Sequence, residues 1–164
     1  MIEHLLPKDV LGIRLLRANW VGTGAFVVVA TATTVFPSFM AVSMALFSFG
    51  LLALGSWAML WAFSRAVQRS RYELIGVGGL YFLAGCAPQA VRRSMLAALG
   101  VQSLVAVAAA SVRPFSASAF GILVPVYALG LSGVWGARYG NFPDRPLTDA
   151  NLEPRNPNRN GNNV

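Results

Sequence analysis

The chain has 164 residues, of which 55% are hydrophobic and only 12% charged, with a net charge of +7. Ordinary soluble domains carry about 25% charged residues, and a mean hydropathy of +0.57 excludes that class. The basic residues stand at the ends of apolar runs rather than on a soluble basic face, which argues against nucleic acid as a partner; several of those runs approach the ~18–20 residues that cross a bilayer, so the reading is an all-α, multi-pass membrane bundle.

Met1 to Arg17 is short and mixed, with Pro7 suited to a first helical turn and Val10, Ile13, Leu16 and Arg17 at helical spacing. The expectation is a small interfacial helix lying on the membrane. The first span follows over about 20–35. Ala30-Thr31-Ala32 has the form of a signal-cleavage site, but no polar sequence follows it. Instead Phe36-Pro37-Ser38 turns directly into a second span over about 39–63, in which Gly50 and Gly55 permit close helix approach and Trp57 and Trp61 suit the headgroup region.

Residues 72–94 decide the topology. The segment is apolar, holds Gly76, Gly78, Gly79 and Gly85, and lies between Arg65, Arg69 and Arg71 on one side and Arg92 and Arg93 on the other. If it crosses, there are five spans, and the positive residues divide seven against six. If it stays on one side, there are four spans, and twelve positive residues face Arg113 alone. Cytoplasmic loops are enriched in Lys and Arg, so charge favours four spans with both termini cytoplasmic. Length agrees, because the apolar part, Leu74 to Ala87, reaches only ~21 Å as a helix against a ~30 Å core. The segment then reads as a Gly-rich re-entrant or interfacial element. The alternative is a short, tilted fifth span on a thinned bilayer.

The third long span is expected over about 95–112 and the last over about 115–135, kinked at Pro125. Residues 1–140 thus form the membrane domain. From 141 to 164 the composition changes to four prolines, seven asparagines and few aliphatics, the pattern of a disordered polar tail.

Residues for catalysis are scarce. The six acids are Glu3, Asp9, Glu73, Asp144, Asp149 and Glu153, none of them inside an expected span. Intramembrane carboxylates mark proton relays and ion pathways. His4 is the lone histidine and precedes the first span, so no bis-histidine haem site is built within one chain. Cys86 is the lone cysteine, read as a buried thiol, and the serines have no histidine partner for a triad. The reading is therefore no enzyme, no cofactor and no metal.

Two packing constellations remain. Gln102 is the most polar mid-span side chain and shares a face with Ala98, Ala106 and Ala110. Ala128, Ser132, Gly136 and Gly140 form a small-residue ridge on the last span. Tyr127, two residues past Pro125, is read as bonding the carbonyl that the kink frees, or a ligand. Gln102, Tyr127, Ser132, Gly136 and Gly140 are accordingly candidates for helix packing or ligand contact. Arg65, Arg69, Arg71, Arg92 and Arg93 form a candidate rim for anionic lipid headgroups.

The run RPFSASAFGILVPVYALGLSGVWGARYGNFPDR (Arg113–Arg145), with GLYFLAGCAPQAVRRSM (Gly79–Met95) before it, resembles the second half of small multi-pass membrane proteins of actinobacterial type. The resemblance implies a location and no reaction. Twelve arginines against the single Lys8, with abundant Ala and Gly, fit a bacterial source. The sum is a small component of the bacterial plasma (inner) membrane. Its expected role is accessory, assembly or scaffold subunit of a membrane complex, touching anionic lipid and a protein partner or further copies of itself. The alternative is a small oligomeric transporter or lipid-binding protein.

Overall fold

The computed structural model describes residues 6–144, all of whose regular elements are helical. They are α1 (Leu6–Val35), α2 (Pro37–Arg69), α3 (Val77–Phe82), α4 (Gln89–Val112), a 3-10 helix η1 (Ala117–Leu123) and α5 (Pro125–Tyr139). Four segments are long and apolar enough to cross a membrane: 12–35 in α1, 38–69 in α2, α4, and η1 with α5 taken together.

α1 is one helix rather than an interfacial helix followed by a span. Nothing between Arg17 and Trp20 breaks it, and at ~45 Å its 30 residues overrun the ~30 Å hydrocarbon core, so the charged first turns lie past the apolar zone. A single residue, Phe36, joins it to α2, and Pro37 fits the first turn because its missing N–H has no partner to lose there. α2 continues past the expected end at 63, and its last turns carry Arg65 and Arg69.

α3 has six residues and rises only ~9 Å. It does not cross. The end of α2, the start of α4 and the end of α5 meet at one end of the bundle, where Asn141 N–H donates to Cys86 O at 3.0 Å and Leu74 N–H to Pro143 O at 2.9 Å. Gly12 of α1 faces Trp135 of α5 at that same end, which we call the basic end. α3 leans inward from there. Tyr81 Oη donates to Met59 O at 3.1 Å, ten residues and therefore ~15 Å below Arg69 along α2. Its irregular exit, with Leu83 at φ 55 and Gly85 at φ 75, is tolerable at that depth because Leu83 is fully buried against protein.

The last span is broken rather than kinked. Proline has no N–H for Gly121 O and its ring clashes with that carbonyl, so a regular α-helix through 121–125 is disrupted. The chain tightens instead to 3-10 geometry, and Val124 N–H takes Gly121 O at 3.0 Å. η1 and α5 then stack to ~36 Å, still enough to cross. α5 is the hub. It packs most extensively along α2 and also touches α1, α3 and α4, while α1 lies along both α4 and α2. Of the tail, residues 141–144 are described and Phe142 is buried; the disordered stretch expected beyond them lies outside the described residues.

Candidate functional site

In a bilayer, burying apolar surface does not drive helices together, so the join is made by close packing and by polar bonds. This bundle divides those two means between two seams.

The polar seam joins α1 to α4. Gln102 Nε2 donates to Thr23 Oγ1 at 2.7 Å, Thr23 donates on to Asn19 O at 2.8 Å, and Asn19 Nδ2 donates to Met95 Sδ at 3.3 Å. Asn19 and Gln102 are fully buried, and Ala98 and Ala106 beside Gln102 let α1 approach. Asn19 Oδ1 and Gln102 Oε1 have no partner among the described residues. Nearer the basic end, Trp20 Nε1 donates to Ser94 Oγ at 2.9 Å.

The glycine seam joins α5 to α2. Gly55 and Gly130 cross with their backbones in contact, so a Cβ on Gly55 would come within 2.6 Å of the Tyr127 backbone, and one on Gly130 would strike Gly55 O. Ala128, Ser132, Gly136 and Gly140 lie on another side of α5 and are covered within the chain. Ser132 Oγ donates to Ala128 O at 2.9 Å, a Cβ on Gly136 would sit 2.5 Å from Leu80 O of α3, and Gly140 abuts the Phe142 ring. Tyr127 does not bond the carbonyl at the break. Its hydroxyl donates to Ala18 O of α1 at 3.0 Å, and its ring fills the space where Gly22 lacks a side chain.

At the basic end Arg69 ties three elements together. Nη1 donates to Ala137 O at 2.9 Å and Nη2 to Gly140 O at 3.2 Å, which takes up carbonyls at the end of α5. The same guanidinium pairs with Glu73 at 2.7 Å and lies over the Phe142 ring. Arg65 and Arg138 both stand over Trp61, at 5.5 and 4.9 Å from the ring centroid. Arg71, Arg92 and Arg93 are exposed. The arginines expected to form a rim therefore differ: Arg69 is held by the protein, Arg65 is gathered with Arg138, and Arg71, Arg92 and Arg93 are exposed.

Cys86 is buried and donates to Gly79 O at 2.9 Å. Burial raises its thiol pKa above the ordinary value, against smaller lowering effects from its backbone hydrogen bond and from Arg69 and Arg92. No three of His, Cys, Asp and Glu come together as a metal cage among the described residues.

Sequence reasoning passed over Asn19, Thr23, Gly130, Trp135 and Arg138. Asn19 was hidden between Arg17 and Trp20, residues that mark a membrane boundary. Gly130 was legible as one more glycine in α5, but it lies off the four-residue ridge. No family model, curated protein or solved structure matches the chain.

Proposed function

We propose that the protein acts by binding rather than by catalysis, as an accessory, assembly or scaffold component of a bacterial plasma-membrane complex with the basic end cytoplasmic. One observation carries the reading. α2, the longest helix, packs along one side only and leaves Phe39, Val42, Leu46, Leu54, Trp57 and Leu60 exposed, with open space at Gly50. The two larger polar side chains among the candidate ligand contacts are meanwhile engaged within the bundle: Gln102 with Thr23, and Tyr127 with Ala18. The long outer face suits the helices of a partner as well as lipid, and the inner polar groups serve the fold.

The test is native-size analysis after mild solubilisation. A stoichiometric complex with different subunits supports the reading. A homo-oligomer that moves a solute, and stops doing so in Gln102→Leu without losing assembly, contradicts it and favours the transporter.

A further inference from the structure

At the basic end, residues of α1, α5 and the start of α4 line a cavity of about 750 Å³. That lies inside the ~300–1,000 Å³ range of small-molecule sites. Its walls divide by chemistry. Ile13, Leu16 and Val91 are apolar, while Trp135, Arg138 and Asn141 bring hydrogen-bond donors, and no described residue lining it is a carboxylate.

Trp135 gives the cavity its direction. The residue is 6% exposed, and its indole Nε1–H is buried with no partner among the described residues. Gly12, another residue of the lining, lies beside it: a Cβ built there would come 3.4 Å from that nitrogen. Buried donors are nearly always paired in folded proteins, and this one faces a lining that offers further donors. Arg138 follows one turn along α5, exposed, and also lines an adjoining cavity of about 300 Å³ with Arg65 and Gln68. Two guanidiniums thus share the Trp61 ring with no carboxylate paired to either among the described residues. The ligand such a site lacks is an anion bearing acceptor oxygens. Apolar walls at the depth where the spans end make it an amphiphile.

We infer that this cavity seats one anionic phospholipid. Its phosphate meets Trp135 Nε1 and the Arg138 guanidinium, and an acyl chain runs along Ile13, Leu16 and Val91. Guanidinium–phosphate bonds are charge-assisted and directional, which distinguishes this site from a diffuse basic rim. The chain's own residues 145–164 are a poorer occupant, because they carry three arginines against two carboxylates. The site does not depend on the scaffold reading, since lipid retention is measured on the isolated protein.

The experiment uses the full-length protein in neutral detergent, offered phosphatidylglycerol or phosphatidylcholine, with bound lipid counted by native mass spectrometry. One phosphatidylglycerol per chain is expected, preferred about tenfold, the ratio that roughly one charge-assisted bond supplies. Trp135→Phe keeps an aromatic side chain but removes the indole N–H, and lowers retention about three- to tenfold. Arg138→Gln, on the exposed surface, lowers it about tenfold. Arg92→Gln and Arg93→Gln, which lie outside the cavity lining, change it by less than about twofold. Equal retention of both lipids, or undiminished retention in Trp135→Phe and Arg138→Gln, overturns the proposal. So does loss in the Arg92 and Arg93 variants instead, which indicates a diffuse rim. Competition by inorganic phosphate points to a soluble anion, and a gain of lipid on truncation after Asp144 points to the tail as occupant; either result also overturns it.

Discussion

α5 meets α2 by discarding side chains, whereas α1 meets α4 by keeping polar ones. At the glycine seam Gly55 and Gly130 bring two backbones into contact, so its strength is dispersion between closely fitted surfaces and it fails when volume is added. At the polar seam Asn19, Thr23 and Gln102 form a chain of bonds with two carbonyl oxygens left over. Its strength is a difference between bonds made and groups left unpaired. The two seams should therefore respond to opposite kinds of substitution.

The largest effect is expected at the glycine seam. Gly130→Val forces the helices apart and costs about 2–3 kcal/mol or more, read as an earlier thermal loss of the monodisperse protein in detergent. Gly50→Val, where nothing lies within 4 Å of the added carbon, should leave that transition in place. Equal damage at both positions would break the contrast.

At the polar seam Thr23→Val leaves the Gln102 amide buried without an acceptor and costs about 1–2 kcal/mol. Gln102→Leu removes the bond together with its unpartnered oxygen and costs less, within about 1 kcal/mol. The double variant should lie nearer wild type than Thr23→Val alone, and the thermodynamic cycle measures that coupling. If Gln102→Leu proves the worst of the three, the unpartnered oxygen is not the burden described.

A third join, at Arg69, is partly exposed to solvent, 31% at the Arg69 side chain, and weaker. Arg69→Gln loosens the link from α5 to the 70–76 turn by about 1–2 kcal/mol. Faster hydrogen exchange at Asn141, whose N–H bonds Cys86 O, is the readout. The smallest signal is chemical. With its pKa raised by burial, Cys86 holds less thiolate at neutral pH than an unfolded chain does and alkylates more slowly. The stability contributed by its neutral form is complete below the ordinary thiol range and is lost as pH rises through the raised value. Labelling at neutral pH before and after denaturation checks this.

Much of this architecture is readable from charge and length. The arginines at 65, 69, 71, 92 and 93, with an apolar segment too short to cross between them, point to four spans, and four helical segments long and apolar enough to cross are found among the described residues. The parts that escape reading depend on which faces meet. Gln102 announces itself as a mid-span amide, but Thr23 does not, because a threonine in a span ordinarily bonds its own helix. Pro125 announces a disruption without saying that Gly121 would be satisfied by 3-10 geometry. The charged turn at Lys8 and Asp9 suggests a separate surface helix, yet nothing in 17–20 stops α1 from running on. Trp135 looks like any interfacial tryptophan until its N–H is found buried opposite Gly12.

The placement of 72–94 on one side underlies the whole account, and single-cysteine labelling tests it most directly. In a Cys86→Ser background, cysteines at the exposed positions Gln68, Gln89 and Phe115 are treated with a membrane-impermeant maleimide in sealed vesicles. Gln68 and Gln89 should react from the same side and Phe115 from the other. Labelling of Gln68 together with Phe115, and apart from Gln89, is the five-span pattern and would contradict the four-span bundle.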